Sequence, residues 1–344
     1  MIQMTQEEDI PAPAPREKRP MRILCLDGGG MKGVYACSYL TTLEDHFKVN
    51  LCEHFDLIAG TSTGGIIALG LGARLSASDV LKFYREHGSA IFPKHLPGVM
   101  IYKRIVGGHG YHGGALNNAL KEVFKDTASD RQLTMADAAT RLLIPAVNAQ
   151  DCSPRVFKSH LGEPQVSHLK RDLNISMAEV AMATAAAPWF LPIAKINEAG
   201  TPYTYIDGGL WANNPSVIAI TEALNYYVGE DRDFDSIQML SIGLPSSSGF
   251  GNTGKYQRGM KLIPQLLSYA MESSKLGAHQ TARFLLRNVP NVYFRVQPDN
   301  LTEAQSKRLK LDGAGREEIG ELMMMGQTRA HNDKNSPDLK RMFD

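Results

Sequence analysis

Ser62 stands in Gly60-Thr61-Ser62-Thr63-Gly64, directly after the run Phe55-Asp56-Leu57-Ile58-Ala59. Glycines on both sides allow a sharp turn from strand to helix, and small neighbours let the helix pack close behind, so the hydroxyl is presented as a nucleophile. Alone, the pentapeptide also fits an ordinary Gly/Ser turn. Two further clusters raise it above that: Asp27-Gly28-Gly29-Gly30-Met31-Lys32-Gly33 upstream and Asp207-Gly208-Gly209 downstream. The upstream glycines lie between a short apolar segment, 22–26, and a helical pattern, 32–47, with Val34, Leu40, Leu43 and Phe47 near one face. Main-chain N–H groups can turn inward there, and the helix start adds unpaired donors and a partial positive charge. Such a nest suits an anion, either a nucleotide phosphate or the tetrahedral oxyanion of acyl transfer. A phosphate-binding P-loop needs Ser or Thr after Gly-Lys, whereas Lys32 precedes Gly33 and Val34. Gly28, Gly30 and Gly33 satisfy G-x-G-x-x-G, yet Glu53 further along comes with no clear strand end to complete a dinucleotide unit. With a serine elbow one unit later, the oxyanion hole is the better account.

The serine needs a base. In α/β hydrolases with a Ser-His-Asp triad the histidine follows the acid in the chain. His279 falls inside the helical stretch 276–286, His331 in a polar tail, and His160 and His168 precede Asp207. Asp207 itself follows the β-prone Tyr203-Thr204-Tyr205-Ile206, which places its carboxylate at a strand end with Gly208 and Gly209 clearing space around it. A desolvated carboxylate can take the serine proton directly, because burial lifts its pKa towards the working range.

In this order the three motifs resemble those of the patatin-like phospholipases, serine acyl hydrolases that use a Ser-Asp dyad. Ala183-Thr184-Ala185-Ala186-Ala187-Pro188-Trp189-Phe190 and Trp211-Ala212-Asn213-Asn214-Pro215 are similar to that family's segments before and after the aspartate, and the likeness runs over about 22–244 with a weaker continuation from 292. The resemblance implies Ser62 as nucleophile, Asp207 as base, Gly28, Gly29 and Gly30 as oxyanion donors, Gly60 and Gly64 as the elbow, and Lys32 facing a lipid phosphate. It implies cleavage of glycerophospholipid esters with no metal and no cofactor. The rival readings are a lysophospholipid or small-ester hydrolase with the same dyad, and a non-catalytic nucleotide-binding sensor built on the glycine nest.

The elements that must position these residues alternate β and α, as a three-layer α/β fold with a mostly parallel central sheet requires. Strands are expected at 23–26, 55–59, 142–147, 203–206, 237–242 and 292–296. Ser176 with Glu179 and Thr302 with Gln305 have capping-box spacing, and Asn214 before Pro215 pairs an N-cap with a proline at the first helical position. The 344 residues divide into a disordered tail at 1–20, rich in Pro and charge, a catalytic domain at 21–330, and a polar C-terminal tail at 331–344. A net charge of +1 argues against a nucleic-acid platform. Cys25, Cys37, Cys52 and Cys152 lack C-x-x-C spacing, which suits a reducing cytoplasm without a metal site. No apolar run approaches 18 residues, so contact with a bilayer is expected to be peripheral, at the inner face.

Two regions fall outside this frame. Residues 88–114 read as a mobile loop, with a glycine-rich end containing His109 and His112, and 256–286 carries Met260, Ile263, Leu267 and Met271 on a helical stripe that suits core packing or a membrane-facing lid. A phospholipase kept in the cytoplasm needs restraint. The chain resembles bacterial patatin-like effectors of anti-phage defence, which implies a cyclic dinucleotide activator that stabilises an open or homo-oligomeric state, with Lys94, Lys103 and Arg104 as candidate contacts.

Overall fold

The computed structural model describes residues 18–93, 110–159, 172–246, 262–287 and 293–344. Among these, eight strands form one sheet: β1 (Arg19–Leu26), β2 (Leu57–Gly60), β3 (Arg141–Asn148), β4 (Ser153–Lys158), β5 (Ala194–Glu198), β6 (Thr201–Asp207), β7 (Phe234–Ile242) and β8 (Tyr293–Val296). The five strands β3, β2, β1, β7 and β8 are mutually parallel, and β4, β6 and β5 add antiparallel pairings at the β3 end. All six strands expected from sequence are present. The two that sequence reasoning missed have weak patterns: β4 holds Pro154 beside Arg155 and Lys158, and β5 buries Glu198 where an apolar residue would have signalled an inward face.

Strand side chains alternate between two cores, which makes the fold three-layered. On one face Leu24, Leu26, Ile58, Leu142, Ile144 and Leu240 join a cluster with α1 (Gly33–Phe47), α3 (Thr63–Gly72), α4 (Ala77–Ile91) and α6 (Met177–Ala185). On the other, Met21, Ile23, Cys25, Leu57 and Met239 meet α8 (Ser216–Tyr226) and α9 (Leu262–Leu285). Further helices complete the frame: α2 (Leu51–His54), α5 (Gly114–Val123), α7 (Gly209–Ala212), α10 (Glu303–Arg308), α11 (Arg316–Asp333) and α12 (Pro337–Phe343). The expected capping boxes form at α6 and α10. At α8 the helix starts one residue later than expected: Pro215 caps it, and the Asn214 side chain still accepts from the Ser216 N–H at 2.9 Å.

The chain ends differ from expectation where they are described. Arg19 and Pro20 belong to β1, and Arg19 is held by Asp56 through two hydrogen bonds; residues 1–17 of the expected N-terminal tail lie outside the described residues. Residues 331–344 are not a polar tail. His331 closes α11, and α12 buries Leu339 and Met342 while Phe343 stacks on Phe47. The apolar residues of that segment sit at helical spacing within polar sequence, which hid them.

One feature of the sheet sets the site. β4 occupies one edge of β3 from Leu143 to Asn148, so β2, paired with Arg141–Leu143, and β6, paired with Ala146–Asn148, share the opposite edge. β2 runs parallel to β3 and β6 antiparallel, so their carboxyl ends point at each other. The turn after β2 and the turn after β6 therefore converge.

Candidate active site

Ser62 occupies the first of these turns, between β2 and α3, with φ 55° and ψ −121°. A left-handed φ is strained for any residue with a Cβ and marks a position over-determined by its surroundings. Here the surroundings are identifiable. The Ser62 N–H donates to Thr184 Oγ1 at 2.9 Å, and Thr184 in turn donates to the Pro145 carbonyl at 2.6 Å, tying the turn to α6 and β3. Gly60 must be glycine, since a Cβ there would lie 2.1 Å from the Gly64 carbonyl oxygen. Gly64, in the first turn of α3, is likewise required, since a Cβ there would lie 2.3 Å from the Leu26 carbonyl oxygen and 2.7 Å from that of Asp27.

Asp207 ends β6. Its Oδ2 accepts from Ser62 Oγ at 2.6 Å and its Oδ1 from the Gly209 N–H at 2.7 Å, while its own N–H donates to the Ala186 carbonyl at 3.0 Å. Both side chains are buried, Ser62 at 6% and Asp207 at 2% exposure. Burial lifts the Asp207 carboxyl to about 6, with the bonds from Ser62 and Gly209 opposing the rise. A carboxylate of this strength exchanges protons with a serine hydroxyl more readily than an exposed aspartate does.

The glycine loop lies alongside. Gly28 contributes its N–H to the Asn213 carbonyl at 2.9 Å, which removes it from the set of available oxyanion donors. The N–H groups of Gly29 and Gly30 have no such acceptor among the described residues. Gly30 adopts φ 57°, and a Cβ on it would meet the Leu311 carbonyl oxygen at 2.3 Å. A buried ion pair anchors the start of the loop: Arg295 on β8 donates to both Asp27 oxygens, at 2.8 and 2.5 Å, and to Ser241 Oγ at 2.7 Å. Lys32 directs Nζ to the Pro245 carbonyl at 2.8 Å. Its pKa falls to about 8, chiefly through burial and then through the neighbouring Lys275.

A cleft opens onto Ser62 and Asp207. It is walled by apolar side chains, among them Ile66, Phe83, Leu116, Phe190, Leu267 and Met271. The last two come from α9, which is fastened over the site by a Ser274 Oγ bond to the Trp211 carbonyl at 2.7 Å. Among the described residues no histidine bonds Ser62 or Asp207. His279 meets Tyr293 at 2.9 Å and His331 meets the Gln327 carbonyl at 2.8 Å. His160, His168, His109, Met260, Lys94, Lys103 and Arg104 lie outside the described residues, and at the edges of the expected loop 88–114 the chain is ordered into α4, a buried Tyr111 and the start of α5.

Sequence reasoning gave no role to Thr184, Asn213, Asp27 or Arg295. The first three sit inside or beside segments whose likeness to the family was noted, so position alone was the available signal; Arg295 is separated from Asp27 by 268 positions, and only the β1–β7–β8 pairing unites them.

A hydroxyl bonded to a carboxylate, two unengaged N–H donors nearby and an apolar cleft above suit a lipid ester hydrolase. Comparison with known proteins agrees. The patatin-like phospholipase model matches residues 24–220. A cGAMP-activated phospholipase of Pseudomonas aeruginosa is 32% identical over 84% of this chain and 81% of its own. A second cGAMP-activated phospholipase, from Vibrio cholerae, is 28% identical over 91% of each, and Patatin-like protein 2 of Arabidopsis thaliana is 31% identical over 81% of this chain and 76% of its own. The chain belongs to the patatin-like phospholipase family.

Proposed function

We propose that the protein is a phospholipase of the A type, cleaving acyl esters of membrane glycerophospholipids through Ser62 and Asp207. The observation that carries this is the 2.6 Å bond between Ser62 Oγ and Asp207 Oδ2 at the bottom of an apolar cleft. Ser62 Oγ attacks the ester carbonyl carbon while its proton passes to Asp207; the oxyanion is held by the N–H groups of Gly29 and Gly30. Collapse of the tetrahedral species expels the lysolipid alkoxide, which takes the proton from Asp207. Asp207 then draws a proton from water, which attacks the acyl-serine, and returning that proton to Ser62 releases the fatty acid. The apolar walls are suited to an acyl chain, and the Lys32 ammonium to the lipid phosphodiester.

Activation by a cyclic dinucleotide, in the setting of antiviral defence, extends this reading and is supported by the names of the two bacterial relatives. The experiment is fatty-acid release from mixed phospholipid vesicles by wild type and Ser62→Ala, each with and without cGAMP. Release by wild type alone, stimulated by cGAMP, supports both parts. Equal release by Ser62→Ala overturns the first, release from lysophospholipid or short esters only points to the narrower hydrolase, and cGAMP binding without hydrolysis of any ester points to a sensor.

A further inference from the structure

We infer that α9 is the membrane-docking element of this protein, seating its outer face in a bilayer that carries anionic lipids. The inference rests on the phospholipase reading for the purpose of the contact and on α9 itself for the surface. Of the nine large hydrophobic side chains exposed among the described residues, five lie on this one helix: Leu266 (51%), Tyr269 (37%), Leu276 (43%), Phe284 (67%) and Leu285 (54%). The first four follow spacings of 3, 7 and 8, which keeps them within one stripe of a helix at 3.6 residues per turn, running about 27 Å from first to last. Exposed apolar side chains scattered singly need no explanation, but a stripe of this length does.

The polar residues of the same face sharpen the identity of the partner. The exposed charges here are Arg283 on the helix and Arg287 two residues past its end, and the helix exposes no fully solvated carboxylate: its only acid, Glu272, is paired with Lys275 at 2.7 Å. An apolar stripe flanked by arginines is the pattern of a helix lying in the headgroup region, its apolar side chains below the phosphates and its cations among them. A second copy of the chain would offer no reason for this sign of charge, since the net charge is near zero.

The opposite face of α9 explains why docking belongs here. Leu267 and Met271 line the cleft over Ser62, so a bilayer seated on the stripe lies one helix thickness from the reacting serine. An acyl chain leaving the membrane then reaches the cleft without crossing water.

The test measures vesicle binding apart from catalysis. Full-length Ser62→Ala protein, which leaves the lipid intact, is co-sedimented with vesicles of phosphatidylcholine alone or with about one-third phosphatidylglycerol, with and without cGAMP. Adding Leu276→Ser and Phe284→Ser is expected to lower partitioning at least tenfold. In the background that keeps Ser62, the same pair is expected to leave hydrolysis of a water-soluble short-chain ester unchanged. Arg283→Gln with Arg287→Gln, which leaves every side chain of the stripe in place although Arg287 lies over the Phe284 ring, is expected to abolish the preference for phosphatidylglycerol and so keeps the proposal testable if the first pair misfolds. Undiminished partitioning of the Leu276 and Phe284 pair, or a preference for phosphatidylglycerol retained by the arginine pair, overturns the proposal. So does a dimer that the Leu276 and Phe284 changes split while vesicle binding persists, since the stripe is then an interface between copies. Vesicle binding that behaves as expected in a protein that hydrolyses no ester would defeat the phospholipase reading and leave the docking face standing.

Discussion

Ser62 and Asp207 are both delivered by a turn at the end of a strand, but the two turns are made differently. The serine's turn is locally strained: φ is positive, and glycines at 60 and 64 are required by contacts within the pentapeptide and with Leu26. The aspartate's turn is relaxed. Gly208 has φ −63°, and Asp207 is set by tertiary pairings, the β6 register on β3 and the Ala186 carbonyl. A serine presented by its own pentapeptide is recognised from that pentapeptide; Asp207 is also marked locally, by Asp207-Gly208-Gly209, but its contact with Ser62 is visible only once the sheet is known.

The hardest test of this comparison is to delete each partner. Ser62→Ala and Asp207→Ala are each expected to reduce turnover of a soluble ester about a thousandfold or more, with the double variant little worse, because the two act as one unit. Melting temperature should stay near wild type for Ser62→Ala, which also relieves a bond rather than a packed side chain. Substantial turnover in Asp207→Ala would mean that the strained turn works without the relaxed one, and a different base would have to be sought.

A third delivery, that of the glycine loop, depends on a long-range pair and should show it in stability. Arg295→Gln leaves the Asp27 carboxylate buried beside a neutral amide. Breaking a buried ion pair from one side costs about 3–5 kcal/mol, so urea unfolding should move to clearly lower concentration. Asp27→Asn with Arg295→Gln should recover part of the loss, because no uncompensated charge remains. Equal instability in the single and double variants would show that the pair's geometry, and not its charge balance, supports the loop.

How much of this was legible in the chain follows the same division. Gly28 to Gly33, Gly60 to Gly64 and Asp207 to Gly209 carry their chemistry in short spacings, and the parallel strands announced themselves as apolar runs. What escaped was what depended on distant partners, that Gly28's N–H is taken by Asn213 and that Arg295 clamps Asp27; β4 and β5 pair with chain neighbours and escaped because Pro154, Arg155 and the buried Glu198 blur their alternation. The misread C-terminal segment belongs here too. Leu339 and Met342 look polar by company until β7 and the core cluster beside it are there to bury them.

The relaxed turn also makes a prediction about pH. Asp207 titrates near 6 in the folded chain and near 3.8 in a model peptide. Because the folded pKa is the higher, its protonated form is favoured by folding; no penalty exists below about pH 4, and the full cost of the buried carboxylate is present above about pH 6. That cost is at most about 3 kcal/mol. Asp207→Asn can keep a bond to both Gly209 and Ser62 without the charge, so it should unfold at higher urea than wild type at pH 8, with the gap closing by pH 4. Wild-type kcat/KM should fall as pH drops through about 6, when the base becomes protonated. A pH-independent stability difference would assign the effect to packing and not to the buried charge.

The smallest expected effect separates recognition of the phosphate from chemistry at the ester. Lys32 has its amine at the Pro245 carbonyl, near the glycine loop but bonded to neither Ser62 nor Asp207. With its pKa brought down to about 8 by burial and by Lys275, it loses its charge as pH rises through that value, within the range where Asp207 stays ionised. If the ammonium meets a phosphodiester, KM for vesicle phospholipid should climb about tenfold between pH 7 and 9, the scale of one charge-assisted hydrogen bond, while KM for a soluble uncharged ester stays level. Lys32→Gln should start at the higher KM and show no alkaline rise. A rise with both substrates would mean that the amine acts through the Pro245 carbonyl on the shape of the loop. A flat profile for both would remove Lys32 from recognition altogether, leaving the apolar cleft to select the lipid by its acyl chain.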